Sequence, residues 1–359
     1  VILYYAVALA AAGYQLLAIL ACLVRRKSAV PAQPILPASI LKPVRGLDAG
    51  FRDAIASHVA LEGEFELLCG VSTMADPAVI VLREFPSVRV VECSTKTPNG
   101  KAGILMDLSA AARFPLIIVN DADIRVGSDY LARVTGPLAD PKVGLVTCLY
   151  RPRATTFAAR FEGLGVLTDF APSTLVARMV GVDEFAMGST LAFRRADLDR
   201  IGGFTSVADY LADDYQLGHR IHSLGLRCEL SDLIVETRLG GGWRDVWRHQ
   251  IRWARTIRVS KFWGYAGLPI TNATLWAAVA FLIGSWQVGA ALLAVRLMMA
   301  VESGWFVLRS ADVLRLVWVI PLRDLFGFAI WCVALFGNSV IWRGQRLQLD
   351  RQGRIVKGI

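Results

Sequence analysis

Apolar residues fall along this chain in contrasting patterns. From Val1 to Val24 they run without a charge, a length sufficient to cross a bilayer core, and the run ends in "RRKS", Arg25 to Ser28. A cleaved signal peptide carries its charges before the apolar run and a small-residue cleavage site after it. Here the order is reversed, which predicts a membrane anchor. The positive-inside rule then places the following domain in the cytoplasm. The proline-rich "PAQPILP" breaks the helix and reads as an extended linker.

From Ala38 to Leu239 the pattern changes to short apolar runs bounded by turn signals: "ASILKPV", "FELLCGVS", "VRVVEC", "PLIIVND" and "VGLVTC". Between them lie segments of helical spacing, such as Leu47 to Leu61 and Ala102 to Phe114. Strands alternating with helices predict an α/β domain around a mainly parallel sheet covered on both faces. Ligands on such sheets gather at the carboxyl ends of the strands, where "NDAD" falls.

"GGGWRDVWRHQIRWARTIRVSKFWGY" follows. Arg244, Arg248, Arg252 and Arg255 recur at helical spacing beside Trp243 and Trp247, as in a helix lying in a membrane interface. Ala273 to Val295 and Leu325 to Ile341 are two further stretches apolar enough to span. The charged segment "WFVLRSADVLRLVWVIPLRD" between them reads as re-entrant or interfacial. The expected division is an anchor over 1–24, a linker over 25–37, a catalytic domain over 38–239, and an interfacial basic and aromatic helix over 240–266. A membrane region over 267–342 and a basic cytoplasmic tail over 343–359 complete it. Three crossings would leave the catalytic domain and the tail on the same side.

Composition sharpens this. Of 359 residues, 55% are hydrophobic, more than an ordinary soluble enzyme carries. The net charge of +9 suits an anionic membrane surface or an anionic substrate. No zinc finger, RNA-binding aromatic signature or arginine-rich tail points to nucleic acid. The six cysteines form no C-x-x-C pair and read as buried thiols. Cys228 with His219 and His222 has no recognised zinc spacing.

Several acids stand at loops next to regular structure: Asp76 in "STMADPAV", Asp121 and Asp123 in "NDADIRV", and Asp213 and Asp214 in "YLADDYQL". Carboxylates one residue apart suit Mg2+ or Mn2+, hard cations that keep positions open for phosphate oxygens. An Asp at a strand end is also an ordinary turn residue, so none of these is decisive alone. The Gly-Ser turn in "EFAMGSTLAFRR" could present backbone N–H groups to a substrate.

In order, "LKPVRG", "ADPAV", "NGK", "DADIRV", "MGSTLAFRR", "ADDY" and "HQIRW" resemble the membrane-bound ceramide glucosyltransferase family, glycosyltransferase family 21, with its bacterial hopanoid-associated glycosyltransferase relatives. The resemblance covers nearly the whole chain. It implies a GT-A type, Rossmann-like nucleotide-sugar domain with flanking transmembrane helices, anchored in a bacterial inner membrane. The implied activity moves glucose or N-acetylglucosamine from a UDP-sugar donor to a lipid acceptor in one inverting displacement. Lys42, Pro43, Asp76, Lys101 and Asp121 would then line the nucleotide-sugar site, and Asp121 and Asp123 would hold a divalent metal. Asp214 would be the catalytic base, and Arg252 and Trp253 match the R-W of the family's (Q/R)-x-x-R-W. Two positions depart. His249 stands at the first place of that motif, and Ala171-Pro172 stands where ceramide enzymes of the eukaryotic type have His-Pro. The second departure leaves hopanoid and diacylglycerol open as acceptors.

Two other classes fit less well. In a D-x-D phosphohydrolase of the haloacid dehalogenase type, the pair closes the first strand, whereas here it follows several. A processive polysaccharide synthase shares D-x-D and Q-x-x-R-W but needs more membrane helices for a channel.

Overall fold

The computed structural model describes residues 2–27 and 34–358. Residues 28–33 of the predicted linker lie outside the described residues. The first helix, Ile2–Lys27, continues past Val24; Arg25 donates to the carbonyls of Leu230 and Ser231, and Arg26 pairs with Glu302 at 2.6 Å.

Seven strands form one sheet: β1 (Ala38–Pro43), β2 (Phe65–Val71), β3 (Val88–Glu92), β4 (Leu116–Val119), β5 (Val143–Ala154), β6 (Leu191–Arg194) and β7 (Arg227–Leu239), in the order β3-β2-β1-β4-β6-β5-β7. Only β6 runs against its neighbours β4 and β5. The short apolar runs become strands because both faces of the sheet are covered. Ile40, Leu67 and Ile118 enter one hydrophobic cluster, while Leu41, Leu68 and Ile117, their neighbours in sequence, enter another on the opposite face. Each such fully buried side chain stabilises the fold by about 1.5–3 kcal/mol. β3 closes one edge with half-buried valines and the exposed Arg89 and Glu92, whose charges discourage further strand pairing.

From β1 the chain crosses one way to β2 and later returns on the other side as β4. The crevice at this reversal is where open α/β sheets take their ligands. Pro43 ends β1 there, and Asp121 follows β4 on the same side.

The C-terminal third departs from the expected spans. The stretch 273–295 is not one helix. Ala273–Leu282 ends at a turn where Gly284 takes φ 79°, and Trp286–Val301 folds back. Glycine is suited to that left-handed backbone. Among the described residues, three helical segments are able by length and composition to cross a membrane: Leu3–Arg26, Trp286–Val307 and Val317–Ala334. The pair Phe262–Thr271 and Ala273–Leu282, bent by 45°, makes a fourth if counted as one span.

The span expected over 325–341 is instead the helix Ile320–Ala334. The residues expected as its end and as a basic tail form a second, three-stranded antiparallel sheet of β8 (Ser339–Trp342), β9 (Gln345–Leu349) and β10 (Ile355–Gly358). Val340, Leu347, Leu349 and Ile355 bury themselves against Leu211, and Ile355 N donates to the Asp209 carbonyl at 2.7 Å. Period-two apolar spacing in "QRLQL" and the apolar run of "SVIW" carry this sheet, while the surrounding positive charge makes the segment look like a tail.

The helix Trp243–Ser260 also differs from a simple interfacial stripe. Trp243 and Trp247 are exposed, as is Arg244, but Arg255 and Arg258 turn inward. They donate to the carbonyls of Leu335, Phe336, Gly337 and Ser339, satisfying groups at the end of the last long helix.

Candidate active site

Asn99 assembles one wall. Its side chain caps the helix Gly100–Ala111 by accepting from Lys101 N at 3.0 Å, and its amide donates to the Tyr210 carbonyl at 2.8 Å. The loop before the helix Asp213–Ser223 is thereby pinned beside Lys101. The Lys101 ammonium lies 2.8 Å from Asp121 and 3.4 Å from Asp213. Burial, the largest influence, would lower its pKa, but the charges of Asp121, Asp213 and Asp214 overcome it and hold the ammonium well above the usual lysine range.

Asp214 stands at the first turn of its helix. Its Oδ2 accepts from Gly188 N at 2.8 Å and its Oδ1 from Tyr215 N at 2.8 Å. Burial and then the neighbouring Asp213 push its carboxyl up to about 6, against the pull of Lys101. Gly188 lies between the acids. A Cβ there would come within 3.1 Å of Asp121 Oδ2, 3.3 Å of Asp214 Oδ2 and 3.5 Å of the Lys101 ammonium.

The D-x-D turn rests on a buried polar platform. Asn120, with no exposed surface, donates to Tyr130 Oη at 2.8 Å and to the Ser189 carbonyl at 2.7 Å. His58 Nε2 lies 3.3 Å from its Oδ1. Lys42 also acts from beneath. It is fully buried, and its ammonium donates to the carbonyls of Asp121 at 3.0 Å and Ile124 at 3.4 Å. Burial pulls it down to about 8. Asp123 Oδ2 accepts from Thr237 Oγ1 and from Arg238 N at 3.3 Å, and burial raises its carboxyl.

Asp76 serves a different loop: its carboxylate accepts from Gly46 N at 2.9 Å and Ala78 N at 2.9 Å, tying the turn after β1 to the turn after β2. Pro43, Lys101, Asp121, Asp123, Asp214, Arg252 and Trp253 line one cavity of about 1490 Å³, whereas Lys42 and Asp76 brace its walls.

Arg252 enters from the helix Trp243–Ser260. Its guanidinium makes no hydrogen bond or ion pair among the described residues; burial lowers its pKa, and Asp121, Glu162 and Asp214 oppose that. His249 stacks on Trp253, ring centroids 6.4 Å apart, and lies 3.6 Å from Glu162. Gln250, not His249, takes the buried place, donating to Glu162 at 3.3 Å and accepting from Arg323 at 2.9 Å.

The donor set fits a divalent cation in one specific way. Asp121, with its side chain 44% exposed, and Asp123 offer hard carboxylate oxygens on an open turn. Among the described residues no group of three or more His, Cys, Asp or Glu side chains could hold a metal. Such an ion would therefore draw further ligands from a substrate, as Mg2+ commonly does with phosphates. His219, His222 and Cys228 do not converge: His219 pairs with Glu184, His222 with Asp183, and the Cys228 thiol donates to the Gly218 carbonyl.

Sequence reasoning passed over Asn120, Tyr150 and Arg343. Asn120 is signalled by a polar residue closing an apolar run. Tyr150 and Arg343 reach the cavity from β5 and from the β8–β9 turn, which only tertiary packing places there.

The chain is similar to several known glycosyltransferases. Ceramide glucosyltransferase 1 of Caenorhabditis elegans is 28% identical over 213 residues, 56% of this chain and 46% of that protein. Ceramide glucosyltransferase 3 of the same organism is 28% identical over 203 residues, 54% and 44% respectively. Beta-monoglucosyldiacylglycerol synthase of Synechocystis is 29% identical over 157 residues, 42% of this chain and 32% of that one. The matches thus span less than half the length of these relatives. A mannosyltransferase from Pyrobaculum calidifontis, PcManGT, solved with GDP-Man and Mn2+, superposes with a TM-score of 0.56 at 18% identity, covering 92% of this chain and 96% of that one. That likeness shows a shared GT-A glycosyltransferase fold. The model of glycosyl transferase family 21 matches residues 3–355, and the chain belongs to that family.

Proposed function

We propose that this protein transfers glucose or N-acetylglucosamine from a UDP-sugar to a lipid hydroxyl, inverting the anomeric carbon. The observation that carries the reading is the meeting of Asp121, Asp214 and Lys101 around Gly188, in a cavity that also reaches the apolar helices. Ceramide is the first acceptor considered, because two matched relatives are named for it; diacylglycerol and hopanoid polyols are the alternatives.

Asp214 is the base. A carboxyl near 6 is ionised at neutral pH yet more basic than an ordinary Asp, and its hydrogen bonds fix its orientation. As the acceptor oxygen bonds to the anomeric carbon, the bond from that carbon to the diphosphate oxygen breaks. The hydroxyl proton passes to Asp214. Lys101 and Arg252 face the diphosphate as its charge grows, and a preorganised cation stabilises such a leaving group. Trp253 lies on the next residue of the same helix and shapes the wall between sugar and acceptor. Pro43 and the loop braced by Asp76 border the nucleotide, while Lys42 holds the D-x-D turn in place. Mg2+ or Mn2+ held by Asp121 and Asp123 would supply further positive charge to the diphosphate.

The chain is a membrane protein by its spans and family. Arg25 and Arg26 at the end of the first helix support a cytoplasm-facing catalytic domain; the reading takes the membrane to be a bacterial inner membrane. The partners of this reading are donor, lipid and membrane, without nucleic acid.

The test is purified full chain in detergent with UDP-glucose and UDP-N-acetylglucosamine against ceramide, diacylglycerol and a hopanoid polyol, with Mg2+ or Mn2+ present. No glycolipid in any pairing refutes the reading. Asp214→Asn should cut turnover on the order of 10²–10⁴-fold while UDP still binds. Normal turnover in that variant removes Asp214 from the base role.

A further inference from the structure

Glu162, 1% exposed, is the most deeply buried acid among the described residues. It sits on the helix Phe157–Gly165, which packs against the helix Trp243–Ser260 that carries Arg252. Its Oε1 accepts from the Gln250 amide at 3.3 Å and lies 3.6 Å from His249 Nδ1. Its Oε2 is buried without a partner among the described residues.

A buried carboxylate left without a compensating charge is strongly destabilising, so the groups around this one matter. The helix Trp243–Ser260 also packs on Ile320–Ala334, on Phe262–Thr271 and on β8. Arg323, from the first of these, donates to the Gln250 side-chain oxygen at 2.9 Å, and so reaches the amide and not the acid. Tyr265, from the second, donates to the Trp331 carbonyl, and Arg343, just beyond β8, donates to the Arg45 carbonyl. Asp245, one turn before His249 on its own helix, accepts from Gly242 N. Among the described residues, His249 is the one ionisable side chain in ion-pair range of Glu162. An imidazolium there is the cation that balances the acid.

His249 carries that pairing to the cavity. Asp245, His249, Arg252, Trp253 and Thr256 all line it, and their helical spacing puts them on one stripe. The His249 ring stacks on Trp253, and its Nε2 has no hydrogen-bond partner among the described residues. Arg252 stands one turn farther along the stripe. Burial lowers its pKa, and Asp121, Glu162 and Asp214 oppose that. Two cations one turn apart on the same wall suit an anion that carries more than one charge.

We propose that Glu162 is a positioning residue that holds His249 as an imidazolium on the cavity wall, where its Nε2–H donates to the donor diphosphate beside Arg252. The inference rests on the UDP-sugar reading above and adds to it two residues and a pH dependence. It also gives a consequence to the departure at the first place of (Q/R)-x-x-R-W. Gln donates at any pH and Arg is always charged, whereas a histidine is charged only while protonated. Donor affinity is then highest below the titration of the imidazole and is lost as pH rises through it.

The test is UDP affinity, measured by calorimetry on the full chain in detergent at fixed Mg2+, from about pH 6.5 to about pH 8.5. Wild type should lose about tenfold across this range, the scale of one hydrogen bond to a charged group. His249→Gln should bind weakly and His249→Arg tightly, both without that pH-dependent loss. In Glu162→Gln the loss should set in at lower pH, because a neutral amide no longer favours the imidazolium. A purely structural role for Glu162 would leave the profile where it is. Titration of Asp214, whose carboxyl is pushed up to about 6, and of UDP itself is common to all the variants and cancels in the comparison.

The same pH profile in wild type and His249→Gln overturns the diphosphate contact, and an unshifted profile in Glu162→Gln overturns the positioning role. His249 is half-exposed, so its variants decide the first point even where Glu162→Gln does not fold. No UDP binding by wild type at any pH sinks the donor reading, and the inference with it, an outcome distinct from binding that ignores His249.

Discussion

Gly188 donates its backbone N–H to Asp214 Oδ2 at 2.8 Å, and the absence of a side chain at Gly188 is what lets Asp121, Asp214 and Lys101 close around it. Its φ lies outside the left-handed region, so space and not backbone freedom explains the glycine. In Gly188→Ala the new methyl would press on both carboxylates. Displacements of this kind in an active site cost on the order of 10²-fold in rate. The expected outcome is a large fall in kcat with little change in melting temperature, and unchanged kcat would show that the acids have room to spare.

Asp121 and Asp123 should differ when replaced. Asp123 Oδ2 is already held by Thr237 and Arg238, whereas Asp121 faces the cavity opposite Lys101. Asp121→Ala is expected to weaken metal-dependent UDP binding on the order of tenfold to a hundredfold, and Asp123→Asn less. Chelation should abolish transfer, and added Mn2+ should restore it. Full activity in excess chelator would remove the metal from this site.

Arg343 sits at the β8–β9 turn, donates to the Arg45 carbonyl at 2.7 Å, and lies 3.7 Å from Asp48. The C-terminal sheet thus straps the loop after β1 over one end of the cavity, the donor end in the proposed reading. Arg343→Ala should raise the donor KM by about tenfold, the scale of one charge-assisted hydrogen bond, and leave the acceptor KM alone. Steady-state kinetics with each substrate varied in turn would separate the two, and an unchanged donor KM would mean that the strap does not act on the donor.

His58 sets a pH limit on stability. Burial, helped by the Lys42 ammonium, pushes its imidazole down to about 3, whereas the unfolded value is about 6.5. The folded state therefore holds a neutral His58 where the unfolded chain binds a proton. Its contribution is complete above about pH 6.5 and is lost as pH falls toward the folded value, by about 1.4 kcal/mol for each pH unit. His58→Gln should flatten the decline in thermal stability between about pH 6 and pH 4. The same slope in wild type and variant would assign acid sensitivity to other groups.

The alternation of apolar runs with helical segments was sufficient to predict an α/β sheet, because strands covered on both faces need nearly continuous apolar sequence, as β4 has. The D-x-D, the "ADDY" and the R-W were legible as short strings, since their chemistry lies in the residue types themselves. What the strings did not carry was which side chain faces the cavity. Lys42 reads as a ligand contact but is fully buried under the turn, and Asp76 spends its carboxylate on two backbone amides.

The basic C-terminus reads as a tail because its charges dominate its composition, yet four apolar side chains suffice to dock it as a sheet on Leu211. Gln15 drew no notice in sequence, being a single polar residue in an apolar helix. Its partner, the Thr271 carbonyl, is decided by helices distant along the chain packing side by side. Local sequence thus determines which segments form strands, helices and acidic turns, because those depend on spacing within a few residues. Only the tertiary structure decides which acids share a cavity and which buried groups remain unpaired, because both depend on contacts between residues far apart in the chain.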